Sequence, residues 1–452
     1  MRSINPANNQ LIKEYPVYSE EQVQHIIAEV HKTFLNWRTV PVSERSKLMY
    51  QAGQELRKNR ETYARIMTLE MGKLIREARA EVEKCAWVCD YYAEMAPRFL
   101  QDEVIDTDAS RSLVAFEPLG VVLAVMPWNF PFWQVFRFAA PALMAGNGAV
   151  LKHASNVSGC ALAIETIFKI AGFPENVFRT LLIPAARVET VIRHPHVRAV
   201  TLTGSEPAGR QVAQIAGSEI KKTVLELGGS DPFIVLDDAD MSACIQSAWQ
   251  ARMINTGQSC IAAKRFIVVA SRLAEFEEEQ RRILRNLRIG DPLHEETQVG
   301  PLARPDLVDE LDEQVRQSVQ AGARLLCGGQ RIDGPGAFYA PTVLSDVGKG
   351  MAVYEQETFG PVLAIIPVRD ERKAVAVAND SAFGLGACLW SRDTVRAERL
   401  ARQIESGNVF INGMVKSDPR LPFGGIKNSG YGRELSHFGI REFVNIKTIW
   451  IA

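Results

Sequence analysis

From residue 120 onward, short apolar runs alternate with stretches of helical periodicity. GVVLAVMP, NGAVLK, VFRTLLI and VRAVTLTGS are each followed by a helix-patterned segment, and KKTVLELGG closes the series. After Gly229 the pattern resumes with PFIVL, RFIVV, ACLW and GNVFING, interleaved with helices such as SACIQSAWQARMI and SRLAEFEEEQRRILRNL. Few folds accommodate such an alternation. Strands joined through helices lie parallel, with right-handed crossovers, and the helices cover the faces of the sheet. The chain therefore reads as two α/β units joined near Gly228 and Gly229. Residues 20–100 read as helices instead, with Val23, Ile26, Ile27, Val30 and Phe34 at helical spacing. The tail REFVNIKTIWIA reads as one more strand. It has no obvious place in the second unit, so pairing with another subunit is expected for it.

Composition removes several classes of function. A net charge of -1 over 452 residues makes no electrostatic case for nucleic acid or an anionic membrane as partner. No apolar run is long enough to span a bilayer, and MRSINPANNQLIKEYP lacks the apolar core of a signal peptide, so a cytoplasmic setting is expected. The seven cysteines are odd in number, scattered and without a CxxC pair, which argues against a disulfide framework and against a metal site.

Four segments carry candidate chemistry, and open α/β sheets bind ligands at the carboxyl ends of their strands. In MPWNFPFWQVFR, Asn129 stands between Trp128 and Phe130. A side-chain amide in an apolar wall can donate to a developing oxyanion, though taken alone an asparagine capping its own turn is the favoured account. In NGAVLKHASN, Lys152 ends a strand where dinucleotide folds usually place an acid for the ribose 2′-hydroxyl. A cation with small polar neighbours suits a 2′-phosphate better, unless Lys152 is simply an exposed lysine. In VTLTGSEPAGR a strand runs through Gly204 and Ser205 into a helix whose N-terminus can hold a phosphate, without the usual GxGxxG.

The last pair is VLELGGSDPF with NTGQSCIAAKRF. Glu226 is an acid inside an apolar strand, and buried carboxylates are rare unless paired or used. Cys260 follows it by about one βα unit and has polar neighbours on one side only. A packing cysteine prefers apolar neighbours on both sides. A nucleophilic cysteine needs a base, and no histidine lies near in sequence.

Together with ETFGPV (357–362) and PFGGIKNSGYGRE (422–434), these segments resemble the aldehyde dehydrogenase superfamily over nearly the whole chain. Within it, LSHFGIREF and FINGMVKSDPR are similar to succinate-semialdehyde dehydrogenases of the NADP-preferring cyanobacterial and enterobacterial type. The resemblance implies an aldehyde dehydrogenase-like α/β fold: a Rossmann-type cofactor domain (1–99 and 119–227), an α/β catalytic domain (228–430) and a small β oligomerisation element (100–118 and 431–452). It implies a homodimer or homotetramer. It further implies that Cys260 attacks the aldehyde, that Asn129 and the Cys260 N–H hold the oxyanion, and that Glu226 activates the water that hydrolyses the thioester. Trp128, Lys152, Ser155, Gly204, Ser205, Glu357 and Phe359 would bind the cofactor. Arg137, Trp133 and Ser417 would bind the carboxylate of a semialdehyde.

Ser155 stands where NAD-preferring relatives often carry glutamate, so NADP is the expected cofactor, with NAD possible. Three departures stand out. His153 replaces a proline. Ile254 replaces a second arginine of some relatives, with Lys416 or Arg420 as substitutes. Ala262 removes the second cysteine of a switching disulfide. Glutaric semialdehyde or an uncharged aldehyde is the alternative substrate, because one methylene discriminates by only about 1–3 kcal/mol. A cysteine hydrolase would leave Lys152, the Gly204–Ser205 turn and Glu357 without purpose. A CoA-acylating enzyme would have no need of Glu226.

Overall fold

A computed structural model describes residues 1–452. Four helices, Glu20–Trp37, Val42–Lys58, Arg60–Met71 and Ile75–Phe99, precede the alternating region. The first carries a capping box, in which Ser19 and Gln22 satisfy each other's backbone N–H groups. The third stops at Gly72, whose φ of 81° only glycine adopts without strain.

The first sheet has six strands. Phe178–Thr180, Gly148–His153, Val121–Met126, Val197–Thr203 and Lys222–Glu226 lie parallel in that spatial order. Gly430–Tyr431 joins its edge antiparallel to Lys222–Glu226. The central strand Val121–Met126 is apolar throughout and almost wholly buried, as a strand covered on both faces must be. Chain order reverses between it and Val197–Thr203. This switch point opens a crevice at their carboxyl ends, where the PWNFP turn and the Gly204–Ser205 turn leave the sheet.

The second sheet has seven strands in the order Arg324–Cys327, Thr342–Ser345, Val362–Val368, Arg265–Val269, Pro232–Val235, Gly386–Trp390 and Asn408–Ile411, all parallel except the first. Two sequence expectations change here. The terminal strand Val444–Ile451 pairs within its own chain, antiparallel to Arg111–Pro118 over its full length. Its register sets Val444 against Pro118 and Ile451 against Arg111, so segments far apart in sequence meet within one chain. Cys260 lies in the loop entering strand Arg265–Val269, at the amino end of a strand and not at a carboxyl end. No helix is long and apolar enough to cross a membrane.

Candidate active site

Helix Met241–Met253 ends at Ile254, and the chain must reverse to enter strand Arg265–Val269. It does so through three successive left-handed residues, Asn255 (φ 52°), Thr256 (φ 54°) and Gly257 (φ 77°). Each non-glycine residue there costs about 1–3 kcal/mol, so the surroundings must hold it. Asn255 Nδ2 donates to the Asn129 carbonyl at 2.8 Å and to the Gln258 carbonyl at 3.1 Å, and its N–H donates to Glu77 at 3.1 Å. The Gly300 N–H donates to Thr256 Oγ1 at 3.1 Å, and the Ala303 N–H donates to Gln258 Oε1 at 2.8 Å. A Cβ on Gly257 would stand 2.1 Å from the Gly360 carbonyl. The polar run NTGQ is thus a rigid bracket beneath Cys260.

Six of the seven cysteines are buried and Cys260 alone is partly exposed. It lines a cleft of about 220 Å³ together with Trp133, Arg137, Ser417, Phe423 and Lys84. Burial pushes its thiol up to about 12, against the pull of Lys264 and Arg137, so the sulfur is protonated at rest. Lys264 Nζ donates to the carbonyls of Ser259, Cys260 and Ala262 at 2.8–3.1 Å and fixes the loop from behind.

Asn129 is buried, and its amide is oriented at both ends. Nδ2 donates to the Gln258 carbonyl at 3.1 Å, and Oδ1 accepts from Gln134 Nε2 at 3.0 Å. A carboxamide has two N–H groups, and the second has no partner within the chain. Glu226 ends its strand with both carboxylate oxygens buried and without a hydrogen-bond partner. Burial and the neighbouring Glu434 hold its pKa well above the usual carboxylate range, while Arg137 and Arg433 pull the other way.

Arg137 lies on helix Trp133–Met144, which also carries Trp133. Its guanidinium reaches the cleft but is heavily engaged. Nε pairs with Glu434, an Nη donates to Thr203 Oγ1 at 3.3 Å, and the plane stacks on Phe423 at 4.8 Å. Glu81, from helix Ile75–Phe99, caps the N-terminus of the Arg137 helix by accepting the Phe132 and Trp133 N–H groups, both at 2.9 Å. Glu81 is itself ion-paired with the buried Lys73. Ser417 is buried, and its Oγ accepts from Lys84 Nζ at 2.7 Å.

The cofactor-side residues gather around the switch point and the adjoining loops. Lys152 is 7% exposed, and burial alone lowers its pKa; no carboxylate is within ion-pairing reach. Ser155 opens a short 3₁₀ turn just beyond it. Ser205 is the N-cap of helix Glu206–Ser218, yet its hydroxyl caps nothing and is exposed. Gly209 lets that helix pack down, since a Cβ there would stand 2.6 Å from Leu227. Glu357 accepts the Gly229 N–H at 3.0 Å and lies 3.5 Å from Lys264 Nζ. Phe359 meets Trp128 edge to face at 5.7 Å. A buried, unpaired ammonium, a bare helix N-terminus and a free serine hydroxyl form a fitting set for a nucleotide bearing an extra phosphate.

Sequence reasoning missed several participants. Lys84, Glu81 and Glu77 belong to a helix read as core, but with Ala80 they form a stripe facing the cleft. Charged residues at i, i+4 and i+7, on the face that also carries Ala80, were the available signal. His153 now has a role. Its Nε2 bonds to the Pro131 carbonyl at 2.9 Å and burial lowers it to about 4, so a neutral imidazole ties the PWNFP turn to the strand end. Of the substitutes for a second arginine, Arg420 is exposed and paired with Asp418 at 2.7 Å, and Lys416 is an exposed residue on the cleft wall.

A cysteine on a rigid loop, a buried carboxylate at a strand end and a phosphate-binding switch point are the marks of the aldehyde dehydrogenase family, and the chain belongs to it, matching the family over residues 1–449. A more particular likeness follows. The chain is 53% identical over 450 residues to a probable NADP(+) succinate-semialdehyde dehydrogenase from Synechocystis, covering 100% of this chain and 99% of that protein. It is 49% identical to NADP(+) succinate-semialdehyde dehydrogenase 1 of Mycobacterium tuberculosis, with 100% and 99% covered. The crystal structure of succinic semialdehyde dehydrogenase from Streptococcus pyogenes with NADP+ superposes with a TM-score of 0.98 at 39% identity, covering 100% of this chain and 99% of that one.

Proposed function

We propose that this protein oxidises succinic semialdehyde to succinate with NADP+ as the preferred acceptor. The observation that carries the reading is one cleft with Cys260 and, on its walls, Arg137, Ser417 and Trp133. A nucleophile and cationic donors facing the same small space suit an aldehyde with a carboxylate at its other end. The activities named for the similar proteins support the same choice.

Cys260 is a protonated thiol at rest, so its proton passes to solvent, which reaches the partly exposed side chain, as sulfur attacks the aldehyde carbon. The adduct's oxyanion is held by the free N–H of the Asn129 amide and by the Cys260 N–H, both fixed before reaction. Lys152 and Ser155 would hold the adenosine 2′-phosphate, Ser205 the pyrophosphate and Glu357 the nicotinamide ribose, with Trp128 and Phe359 along the ring. When bound, NADP+ supplies the two-electron acceptor that turns the adduct into a Cys260 thioester. Glu226 then takes a proton from the hydrolytic water. Burial beside Glu434 raises its pKa and so its basicity, and the lack of a hydrogen-bond partner leaves its lone pairs available.

The same reading assigns residues 1–99 and 119–227 to the cofactor and 228–430 to catalysis. Residues 100–118 and 431–452 would form an oligomerisation element in a homodimer or homotetramer working in the cytoplasm. The strand Val444–Ile451 supports the last assignment, with one unpaired edge and the exposed side chains Ile446, Ile449 and Trp450.

Initial rates on succinic semialdehyde, hexanal and betaine aldehyde, each with NADP and NAD, test the proposal. The expected result is the highest kcat/KM for succinic semialdehyde with NADP, and a fall in its ratio to hexanal in Arg137→Ala. Equal kcat/KM across the three aldehydes would refute it.

A further inference from the structure

Arg137 alone is a weak anchor for a substrate carboxylate, because its charge already serves Glu434 and Glu226. Ile254 is apolar where some relatives carry a second arginine, Arg420 is committed to Asp418, and Lys416 is an exposed lysine at the cleft wall whose ammonium solvent screens. The cleft nevertheless holds another cation. Lys84, on helix Ile75–Phe99, projects between Trp133 and Ser417: its Nζ donates to Ser417 Oγ at 2.7 Å and lies 4.2 Å over the Trp133 ring. It has no carboxylate within ion-pairing distance. The nearest charged groups are Glu81 on its own helix, Arg137 on the adjoining helix and Asp418 on the facing loop. Glu81 is taken by Lys73 and two N–H groups, and Asp418 by Arg420. The remaining acid on the wall, Glu77, accepts the Asn255 N–H.

An ammonium half-buried in a mainly apolar cleft, with a hydroxyl and an aromatic face as its neighbours, carries a desolvation cost that a pairing anion would relieve. That burial lowers Lys84 to about 8, against an ordinary lysine value of 10.5, agrees with an unpaired charge. Ser417 is held by the same contact, so its hydroxyl hydrogen is free to donate into the cleft while its oxygen accepts from Lys84.

We propose that Lys84 is the principal carboxylate-binding cation of the substrate cleft and the residue that selects ω-carboxylate aldehydes over neutral ones. This rests on the substrate reading above and names the group that enforces it. Lys84 works with Ser417 as one unit, the ammonium supplying charge and the serine a directed O–H, while Trp133 keeps the ammonium from collapsing onto the wall.

The test compares wild type with Lys84→Met and Lys84→Arg, using the ratio of kcat/KM for succinic semialdehyde to that for hexanal, with NADP saturating. NADPH fluorescence titration reports whether each variant is folded. Lys84→Gln replaces the methionine variant if the latter is insoluble. The expected result is a ratio reduced about 10- to 100-fold in Lys84→Met, the loss of one charge-assisted contact, and recovered to within about threefold in Lys84→Arg. A wild-type preference for succinic semialdehyde that survives in Lys84→Met overturns the role of Lys84 alone. Absence of that preference in the wild type overturns the substrate reading together with it. A reduction of the same size in Lys84→Arg also overturns the proposal, since charge would then not be the property selected.

Discussion

Replacing Lys152 by methionine isolates the electrostatic part of cofactor choice. The side chain is 7% exposed at the end of strand Gly148–His153, and it has no acidic partner. Without cofactor its ammonium is therefore a cost to the fold, which is what lowers its pKa. With a 2′-phosphate it becomes one end of a charge-assisted hydrogen bond, worth about 1.5–3 kcal/mol. Deleting it should raise KM for NADP about 10- to 150-fold and leave KM for NAD within about threefold. The free protein should not be destabilised. Lysine with a lowered folded pKa binds fewer protons folded than unfolded between that value and 10.5, so it opposes folding at neutral pH and the penalty fades as pH rises. Lys152→Met should then match or exceed the wild-type Tm at pH 7 without cofactor, while losing most of the Tm increase that saturating NADP gives the wild type. The assay is a pair of initial-rate series with NADP and NAD, beside thermal melts with and without 1 mM nucleotide as a roughly saturating dose. An unchanged KM for NADP would refute the reasoning, and so would a Tm of the free variant several degrees below wild type.

Three further outcomes are expected. Glu226→Gln should keep a stoichiometric burst of NADPH while steady-state turnover falls about 10²- to 10⁴-fold. It should also melt higher than wild type at pH 8, because an acid with a raised folded pKa loses stability as pH rises above its unfolded value, and the amide does not; rapid-mixing absorbance and melts at pH 5 and 8 check both parts. Alkylation of Cys260 by iodoacetamide in the free protein should accelerate about tenfold per pH unit between pH 7 and 9, since the thiol is pushed up to about 12; mass spectrometry of the six buried cysteines should show no comparable labelling. Gly257→Ala places a Cβ 2.1 Å from the Gly360 carbonyl at a φ of 77°, so a loss of more than about 3 kcal/mol in denaturant melts, or insolubility, is expected; a stable, active variant would contradict the bracket role of the loop.

The alternation of apolar runs and helical stretches was sufficient to read two parallel sheets, because buried parallel strands such as Val121–Met126 and Phe266–Val268 are apolar on both faces and announce themselves without context. The candidate residues stood out for different reasons: Glu226 and Lys152 are charged residues at the ends of apolar strands, whereas Cys260 has polar neighbours on one side. Short-range grammar also read correctly at the switch point, where Pro207 and Ser205 mark a helix start.

What only tertiary structure decided is how those residues are shared. Three-dimensional packing pairs Arg137 with Glu434, nearly 300 positions away in the chain, a partner that its place after the PWNFP turn did not suggest. It turns a helix that reads as core so that Lys84 meets Ser417. It pairs the terminal strand with residues 111–118 of the same chain, and it forces Asn255 and Thr256 into left-handed backbone through contacts from residues 77, 129, 300 and 303. Propensity and periodicity are local and act over a few residues, whereas charge neutralisation, strain and edge pairing are settled by groups that only folding brings within a few ångströms.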